Sequence, residues 1–184
     1  MPGDESAGGG RADLAGLQAD RPGVEGGAVM PTPTAKDRPD FLELHDAVVA
    51  SFTVLEDSSA VLRFSHLCAY RAESPGLFGV WSHGATLTLS GVEAVAFEGP
   101  WRLAAQGDAV DYAFVSPASA AIEGEGVSEG EEIPPAALLD GAAAVRLYMR
   151  WGSGARLEIA AARALLELTG GERFETFVDG ATDD

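Results

Sequence analysis

Apolar and polar residues alternate along the chain from Phe41 onward, and this period of two limits the possible folds more than any other feature. Successive side chains of a β-strand point to opposite faces, so an alternating run indicates a strand with one buried face. The clearest run predicts an apolar face formed by Leu62, Phe64, His66, Cys68 and Tyr70, and a polar face formed by Arg63, Ser65 and Arg71.

Three further runs predict strands with one apolar face. Gly91 follows the second of these runs and is expected to form a bulge. Gly152-Ser153-Gly154 links the third run to another run that begins at Leu157, and two runs with a short glycine-rich link predict a β-hairpin. The apolar positions of the three runs are Val48, Ala50, Phe52 and Val54; Ala85, Leu87 and Leu89; and Val145, Leu147, Met149 and Trp151.

Two segments are harder to interpret. Residues 101–140 offer short strands over Asp111–Ser116 and Ala120–Glu125 and one helical turn over Pro134–Leu139. Ala160–Leu168 favours a helix by composition. It can instead remain a strand if the alternation of apolar and polar residues shifts by one position near Ala162. Together the runs predict an all-β fold: a single antiparallel β-sandwich or partly open barrel, with room for one short helix.

The domain organisation follows from where the alternation begins and ends. Residues 1–40 combine glycine runs and prolines with few large apolar residues, which predicts a disordered leader. Residues 41–178 are expected to form the β domain, and residues 179–184 an acidic tail. No apolar run reaches the roughly 18–20 residues of a membrane span, and the first 30 residues lack the apolar core of a signal peptide. A cytoplasmic location is therefore expected.

The three histidines and the single cysteine are candidate metal ligands or catalytic residues. His45 precedes Asp46, a pair that could orient an imidazole. His66 is expected to be a hydrogen-bonded core residue, and His83 lies in a segment, Trp81-Ser82-His83-Gly84, that suggests a turn. Their spacing matches no zinc pattern. Cys68 is expected to be an inert buried thiol, and one cysteine excludes a disulfide framework.

Catalytic motifs are missing from the sequence. It contains neither a P-loop nor a dinucleotide-binding G-x-G-x-x-G before a helix. Gly152-Ser153-Gly154 lacks the pattern of a hydrolase nucleophile elbow and is explained by a hairpin turn. We therefore predict no catalytic residue, no metal and no cofactor.

Charge is the strongest functional signal. Lysine and arginine total 12 against 29 aspartate and glutamate residues, a net charge of −17. A phosphate backbone repels such a chain, so nucleic acid is not an expected partner. Residues 101–140 carry −7 of this charge. A glycine-spaced acidic segment is either a solvated loop that favours solubility or a landing surface for a basic partner. Its glutamates are Glu123, Glu125, Glu129, Glu131 and Glu132.

The predicted C-terminal hairpin carries the positive counterpart. Arg146 and Arg150 share a polar face with Tyr148, and Arg156 lies on the next strand. These side chains could bind an anionic ligand, although pairing with Glu158 or with the acidic segment is the interpretation we prefer.

Three short segments resemble small, uncharacterised bacterial all-β domains. They are Leu44-His45-Asp46-Ala47, Leu87-Thr88-Leu89-Ser90-Gly91-Val92, and Trp151-Gly152-Ser153-Gly154-Ala155-Arg156-Leu157-Glu158-Ile159. Some domains of this type occur among the immunity proteins of bacterial toxin systems. The resemblance implies no catalytic residues and favours a binding role over an enzymatic one.

Two functions are therefore expected. The first is a non-enzymatic protein-binding domain, of the immunity-inhibitor kind, that presents an acidic surface to a basic protein. The second is a small-ligand-binding or hydrolytic enzyme with a cavity between sheets. Its polar lining would come from His45, Asp46, His66 or His83, together with Arg146, Arg150 and Arg156.

Overall fold

The computed structural model describes residues 38–99, 108–120, 122–123, 126–127 and 132–180. These residues form nine strands and one 3-10 helix, joined by turns and loops. All of them belong to one unit, Pro33–Asp184. The leader expected over residues 1–40 falls outside the described residues except for its last three. The strands are β1 (Phe41–Val54), β2 (Ser59–Ser74), β3 (Leu77–Glu98), β4 (Val110–Pro117), β5 (Ile122–Glu123), β6 (Gly126–Val127), β7 (Ala142–Trp151), β8 (Arg156–Leu168) and β9 (Arg173–Asp179), and the helix is Pro135–Asp140.

The 22-residue strand β3 organises the sheet. One edge of β3 pairs with β2, and the other pairs first with β9 and then with β8, all antiparallel. The strand order is β1-β2-β3-β8-β7-β4, with β9 beside β3. The sheet curls into a half-barrel, and Val48 of β1 forms an isolated bridge to Ala109 next to β4. The predicted all-β fold is confirmed in its partly open barrel form.

The concave face of the curled sheet holds the hydrophobic core. Alternation places every second side chain of a strand on this face, and the 3-10 helix adds Leu138. Burying each large side chain contributes roughly 1.5–3 kcal/mol relative to exposure. The largest fully buried apolar side chains are Trp151, Leu62, Leu67, Leu87, Leu89, Leu138, Leu147, Met149, Leu157, Ile159 and Leu166.

A β-bulge in β2 overturns the predicted faces of that strand. The pairing shifts between Phe64 and Leu67, and one extra residue moves every later side chain to the opposite face. Leu67 and Ala69 are buried, and Arg71 is only 2% exposed. The prediction that His66, Cys68 and Tyr70 share the apolar face with Leu62 and Phe64 is therefore wrong, and these three side chains lie on the outer face.

Irregular pairing also changes which side chains of strand β1 are buried. Its pairing with β2 shifts three times: between Glu43 and Val48, between Val48 and Val49, and between Val49 and Ser51. Asp46 adopts a φ of +61° at the first irregularity. The predicted core positions Val48 and Ala50 are wrong, and Ala47 and Val49 are buried in their place. The last shift returns Phe52 to the predicted face, where it packs against the core, whereas Val54, predicted on the same apolar face, is 52% exposed.

Other sequence predictions agree with the structure. Gly91 has a φ of +61°, and the pairing of β3 with β8 shifts just beyond it, between Val92 and Ala94. The ambiguous segment Ala160–Leu168 is strand, with the phase slip at Ala162 and Arg163, which are both exposed. The predicted hairpin is formed by β7 and β8, with a hydrogen bond from Gly154 N to Trp151 O of 2.8 Å.

Two differences concern β3 and β9. The predicted turn over Trp81–Gly84 is wrong, because these residues continue the interior of β3. Strand β9 was not foreseen, since Arg173–Asp179 is exposed along most of its length and shows no apolar alternation. Within the described residues, no helix has the length and hydropathy needed to cross a bilayer.

A buried ion pair ties the β8–β9 connection to β2. The guanidinium of Arg71 contacts the carboxylate of Glu172, whose side chain is 27% exposed. The Cζ atom of Arg71 also lies 5.0 Å from the centre of the Trp81 ring, a cation–π distance. Removing the partner of a buried charge leaves that charge without compensation, which is costly.

We expect Glu172→Gln to lower the free energy of unfolding by about 2–3 kcal/mol, less than for a fully buried pair because Glu172 is partly exposed. Urea denaturation measures this change. The matched control is Glu98→Gln, which removes an exposed carboxylate 2.6 Å from Arg156 and should change the free energy of unfolding by less than about 1 kcal/mol. Equal effects of the two substitutions would contradict the assigned role of the buried pair.

Two glycines allow the chain to pass from β8 to β9 beside β3. The amides of Thr169 and Gly170 both donate to the carbonyl oxygen of Gly84, at 2.8 and 3.1 Å. A Cβ atom on Gly170 would lie 2.5 Å from the Gly84 nitrogen. The two backbones therefore approach too closely for a side chain at position 170.

We expect Gly170→Ala to destabilise the fold by about 1–3 kcal/mol, the usual range for overpacking. The control is Gly171→Ala, because a Cβ atom at that position meets nothing within 4 Å. The control should be neutral or slightly stabilising through its effect on the unfolded chain. Thermal unfolding of the two variants tests this, and a neutral Gly170→Ala would show that the connection can move away from β3.

Candidate functional site

The outer face at one end of the sheet brings together polar side chains from four strands. Cys68 of β2 pairs with Glu43 of β1 on one side and with Ser82 of β3 on the other. The hydroxyl of Ser82 donates to Oε1 of Glu175 in β9 at 2.7 Å. Directly paired antiparallel residues share a face, so these side chains form one row across the sheet. We call Glu43, Asp46 and Glu175 the outer acidic cluster.

Cys68 lies at the centre of this row. Its Sγ atom is 3.4 Å from Nε2 of His66, two residues earlier on the same face. Burial raises the pKa of the Cys68 thiol, and the negative charges of the outer acidic cluster raise it further. A raised pKa keeps the thiol protonated near neutral pH, which makes it a weak nucleophile. The expected inert character agrees with this pKa, although Cys68 is half-buried on the outer face and not in the core.

Glu43 connects the row to its neighbours. The hydroxyl of Tyr70 donates a hydrogen bond to Oε2 of Glu43, and Nδ1 of His45 lies 3.9 Å from Oε1 of Glu43 and 3.2 Å from Oδ2 of Asp46. Partial burial raises the pKa of Tyr70, and the hydrogen bond to Glu43 raises it further. Tyr70 therefore remains a neutral phenol that orients the carboxylate.

An open cavity of about 420 Å³ adjoins Glu43 on the outer face. The rings of Phe41 and Phe78 meet edge to face at 5.5 Å between their centres. Phe41 is 58% exposed and Val178 is 36% exposed, so apolar surface faces solvent here. The cavity is lined by Phe41, Leu42, Glu43, Tyr70, Phe78, Val178 and Gly180.

The arginines predicted to bind an anion lie on the outer face of the β7–β8 hairpin, each beside a carboxylate. Nε of Arg146 lies 3.6 Å from Glu158, which is the pairing preferred from the sequence. The other two pairings involve different acids: Arg150 with Asp111 at 3.0 Å and Arg156 with Glu98 at 2.6 Å.

Tyr148 is nearly buried on this face and stacks on Phe114, with ring centres 5.1 Å apart. A small cavity of about 70 Å³ lies beside Tyr148, Arg156 and Glu158. Anion binding by Arg146, Tyr148, Arg150 and Arg156 remains a prediction.

The structure does not bring the three histidines together. His45 and His66 lie on the outer face, whereas His83 lies in the interior and is 6% exposed. Burial lowers the pKa of His83, and the nearby Arg71 lowers it further. Among the residues described, no three His, Cys, Asp or Glu side chains are arranged to hold a metal ion. The expectation that His66 is a core residue is wrong, because the bulge in β2 turns it outward.

The predicted acidic segment lies largely outside the described residues. Glu125, Glu129 and Glu131 belong to the undescribed part, and only the backbone of Glu123 is described, in β5. Glu132 is described and exposed. Binding of a partner by these five glutamates therefore remains a prediction.

Comparison with known proteins gives no further assignment: no family model, no curated protein and no solved structure matches the chain. The resemblance to immunity proteins therefore remains a hypothesis that depends on the three short sequence segments.

Sequence reasoning missed Tyr70, Phe41 and Phe78 as members of one surface. Tyr70 was assigned to the apolar face of its strand, and no pattern indicated that β9 would complete the cavity with Val178. The signal that was present is the acidic and aromatic start of β1, where Phe41 and Glu43 alternate with Leu42 and Leu44.

We expect Cys68 to react slowly with iodoacetamide at neutral pH and faster as the pH rises through its raised pKa. Neutralising two of the carboxylates that raise this pKa, with Glu43→Gln and Glu175→Gln together, should move the midpoint of the pH–rate profile downward. Burial should keep the midpoint above that of a cysteine peptide. The exposed Glu93→Gln serves as a control for charge. An unchanged midpoint in the double variant would show that the outer acidic cluster does not act on the thiol.

Proposed function

We propose that the chain is a non-enzymatic protein-binding domain that presents an acidic surface to a basic protein partner, in the manner of an immunity-type inhibitor covering a basic active site. The observation that carries the proposal is the outer acidic cluster beside exposed apolar surface at Phe41 and Val178. Binding surfaces commonly combine an apolar centre with a polar rim.

The distribution of positive charge supports the proposal. Six of the eight arginines in the described residues lie in ion pairs with carboxylates, so most of their charge is already compensated, and the other two, Arg63 and Arg163, are exposed. One of these pairs includes a member of the outer acidic cluster: Arg173 lies 3.5 Å from Glu175. Arg173 is 78% exposed, so it neutralises the charge of Glu175 only in part. The six arginines are Arg38, Arg71, Arg146, Arg150, Arg156 and Arg173.

Electrostatics of this kind acts mainly on the association rate. A negative surface attracts a basic partner over distances of about one Debye length, roughly 8–10 Å at physiological salt. Steering accelerates association and suppresses partners of the wrong charge, while affinity depends more on close contacts. The acidic segment around Glu129 would add to the same long-range attraction.

A partner captured with the full chain provides the test. We expect its association rate constant to fall with rising salt, and to fall about tenfold at low salt when charge is removed. One variant neutralises the outer acidic cluster (Glu43→Gln, Asp46→Asn and Glu175→Gln), and a second converts Glu123, Glu125, Glu129, Glu131 and Glu132 to glutamine. Stopped-flow kinetics measures both.

The control removes three exposed carboxylates elsewhere, with Glu56→Gln, Glu93→Gln and Glu167→Gln. It changes the net charge as much as the first variant does, but leaves the outer acidic cluster intact. If all variants associate at the wild-type rate at every salt concentration, the acidic surface does not select the partner. If the control slows association as much as the first variant does, only the net charge matters.

A further inference from the structure

The cavity beside Glu43 combines three aromatic rings with one carboxylate. Phe41, Tyr70 and Phe78 supply the rings, and among the lining residues Glu43 carries the charge. The faces of aromatic rings attract cations, most effectively within about 6 Å of the ring centre, and rings arranged around a site recognise ammonium groups. A carboxylate beside the rings adds a direct ionic partner.

The geometry suits a ligand that enters from solvent. The volume of about 420 Å³ lies within the usual range for ligand pockets of roughly 300–1,000 Å³. The high exposure of Phe41 leaves its ring accessible. Tyr70 holds Glu43 in place through its hydrogen bond, so the carboxylate is already oriented before a cation arrives. Such preorganisation reduces the entropy lost on binding.

We infer that this cavity binds the guanidinium or ammonium head of an arginine or lysine side chain that the basic partner inserts, an inference that rests on the proposed function. The aliphatic stem of such a side chain contacts Val178 and the ring edges, while its head reaches Glu43. The alternative occupant, a second copy of this chain, would place two outer acidic clusters and two strongly acidic molecules against each other, which like-charge repulsion opposes.

The inference is tested on the full chain with two small probes of matched shape, n-butylguanidinium chloride and neutral n-butylurea, at constant ionic strength. Amide chemical shifts are followed by NMR at Phe41–Glu43, Phe78 and Val178–Gly180. We expect the cation to bind about fivefold more tightly than the urea. Glu43→Gln should remove most of this preference.

Phe41→Leu separates this inference from the proposed function. The substitution removes one of the three aromatic rings of the cavity without changing charge. Phe41 is exposed, so the fold does not depend on its ring, and the amide spectrum checks this directly. We expect it to weaken n-butylguanidinium binding about threefold and to speed dissociation of the partner, while the salt dependence of the association rate is kept because no charge changes. Phe78→Leu removes a second of the three aromatic rings and serves as the second variant of the cavity.

Three outcomes would overturn the inference while leaving the proposed function standing. The first is equal binding of both probes, which would show that the cavity binds the shared apolar chain and does not recognise the cation. The second is the absence of shifts with either probe. The third is a dimer in sedimentation that Phe41→Leu dissociates, which would make a second copy the occupant. If the cavity prefers n-butylguanidinium but the association rate of the partner does not depend on salt, the proposed function is contradicted and the inference about the cavity stands.

Discussion

Backbone pairing along both edges of β3 is the constraint on which the rest of the structure depends. A strand of 22 residues carries many amide and carbonyl groups that must find partners. β2 satisfies one edge, while β8 and β9 divide the other between them. The close passage of Gly170 over Gly84 is where the chain changes from one partner strand to the next.

Irregular pairing in β1 and β2 gives the outer face its chemistry. A regular β2 would have buried His66, Cys68 and Tyr70 and exposed Arg71. The shift between Phe64 and Leu67 reverses this arrangement. The bulge therefore places the guanidinium of Arg71 in the core, where Glu172 compensates its charge. It also places the thiol, the imidazole and the phenol on the outer face beside Glu43.

Charge compensation differs between the two ends of the outer face. On the β7–β8 hairpin each arginine lies beside a carboxylate, so that surface is nearly balanced. Around Cys68, burial raises the thiol pKa, and the carboxylates of Glu43, Asp46 and Glu175 raise it further, so negative charge is concentrated at this end. The cavity at Phe41 lies at this negative end, and the proposal of a basic partner with a cationic anchor follows from that combination of aromatic surface and charge.

Local patterning in the sequence determined the class of fold and most of the strands that build it. The alternation gave the buried faces of β7 and of the Ala85–Leu89 part of β3 correctly, because each pattern is carried by consecutive side chains. It left Ala160–Leu168 open between helix and strand, and the structure shows strand with the phase slip at Ala162. Only the tertiary structure decided the bulges of β1 and β2, since a bulge depends on how two strands pair and not on either strand by itself. It also decided the position of β9, whose exposed residues carry no alternation, and with it the cavity that joins Phe41 to Val178 across four strands.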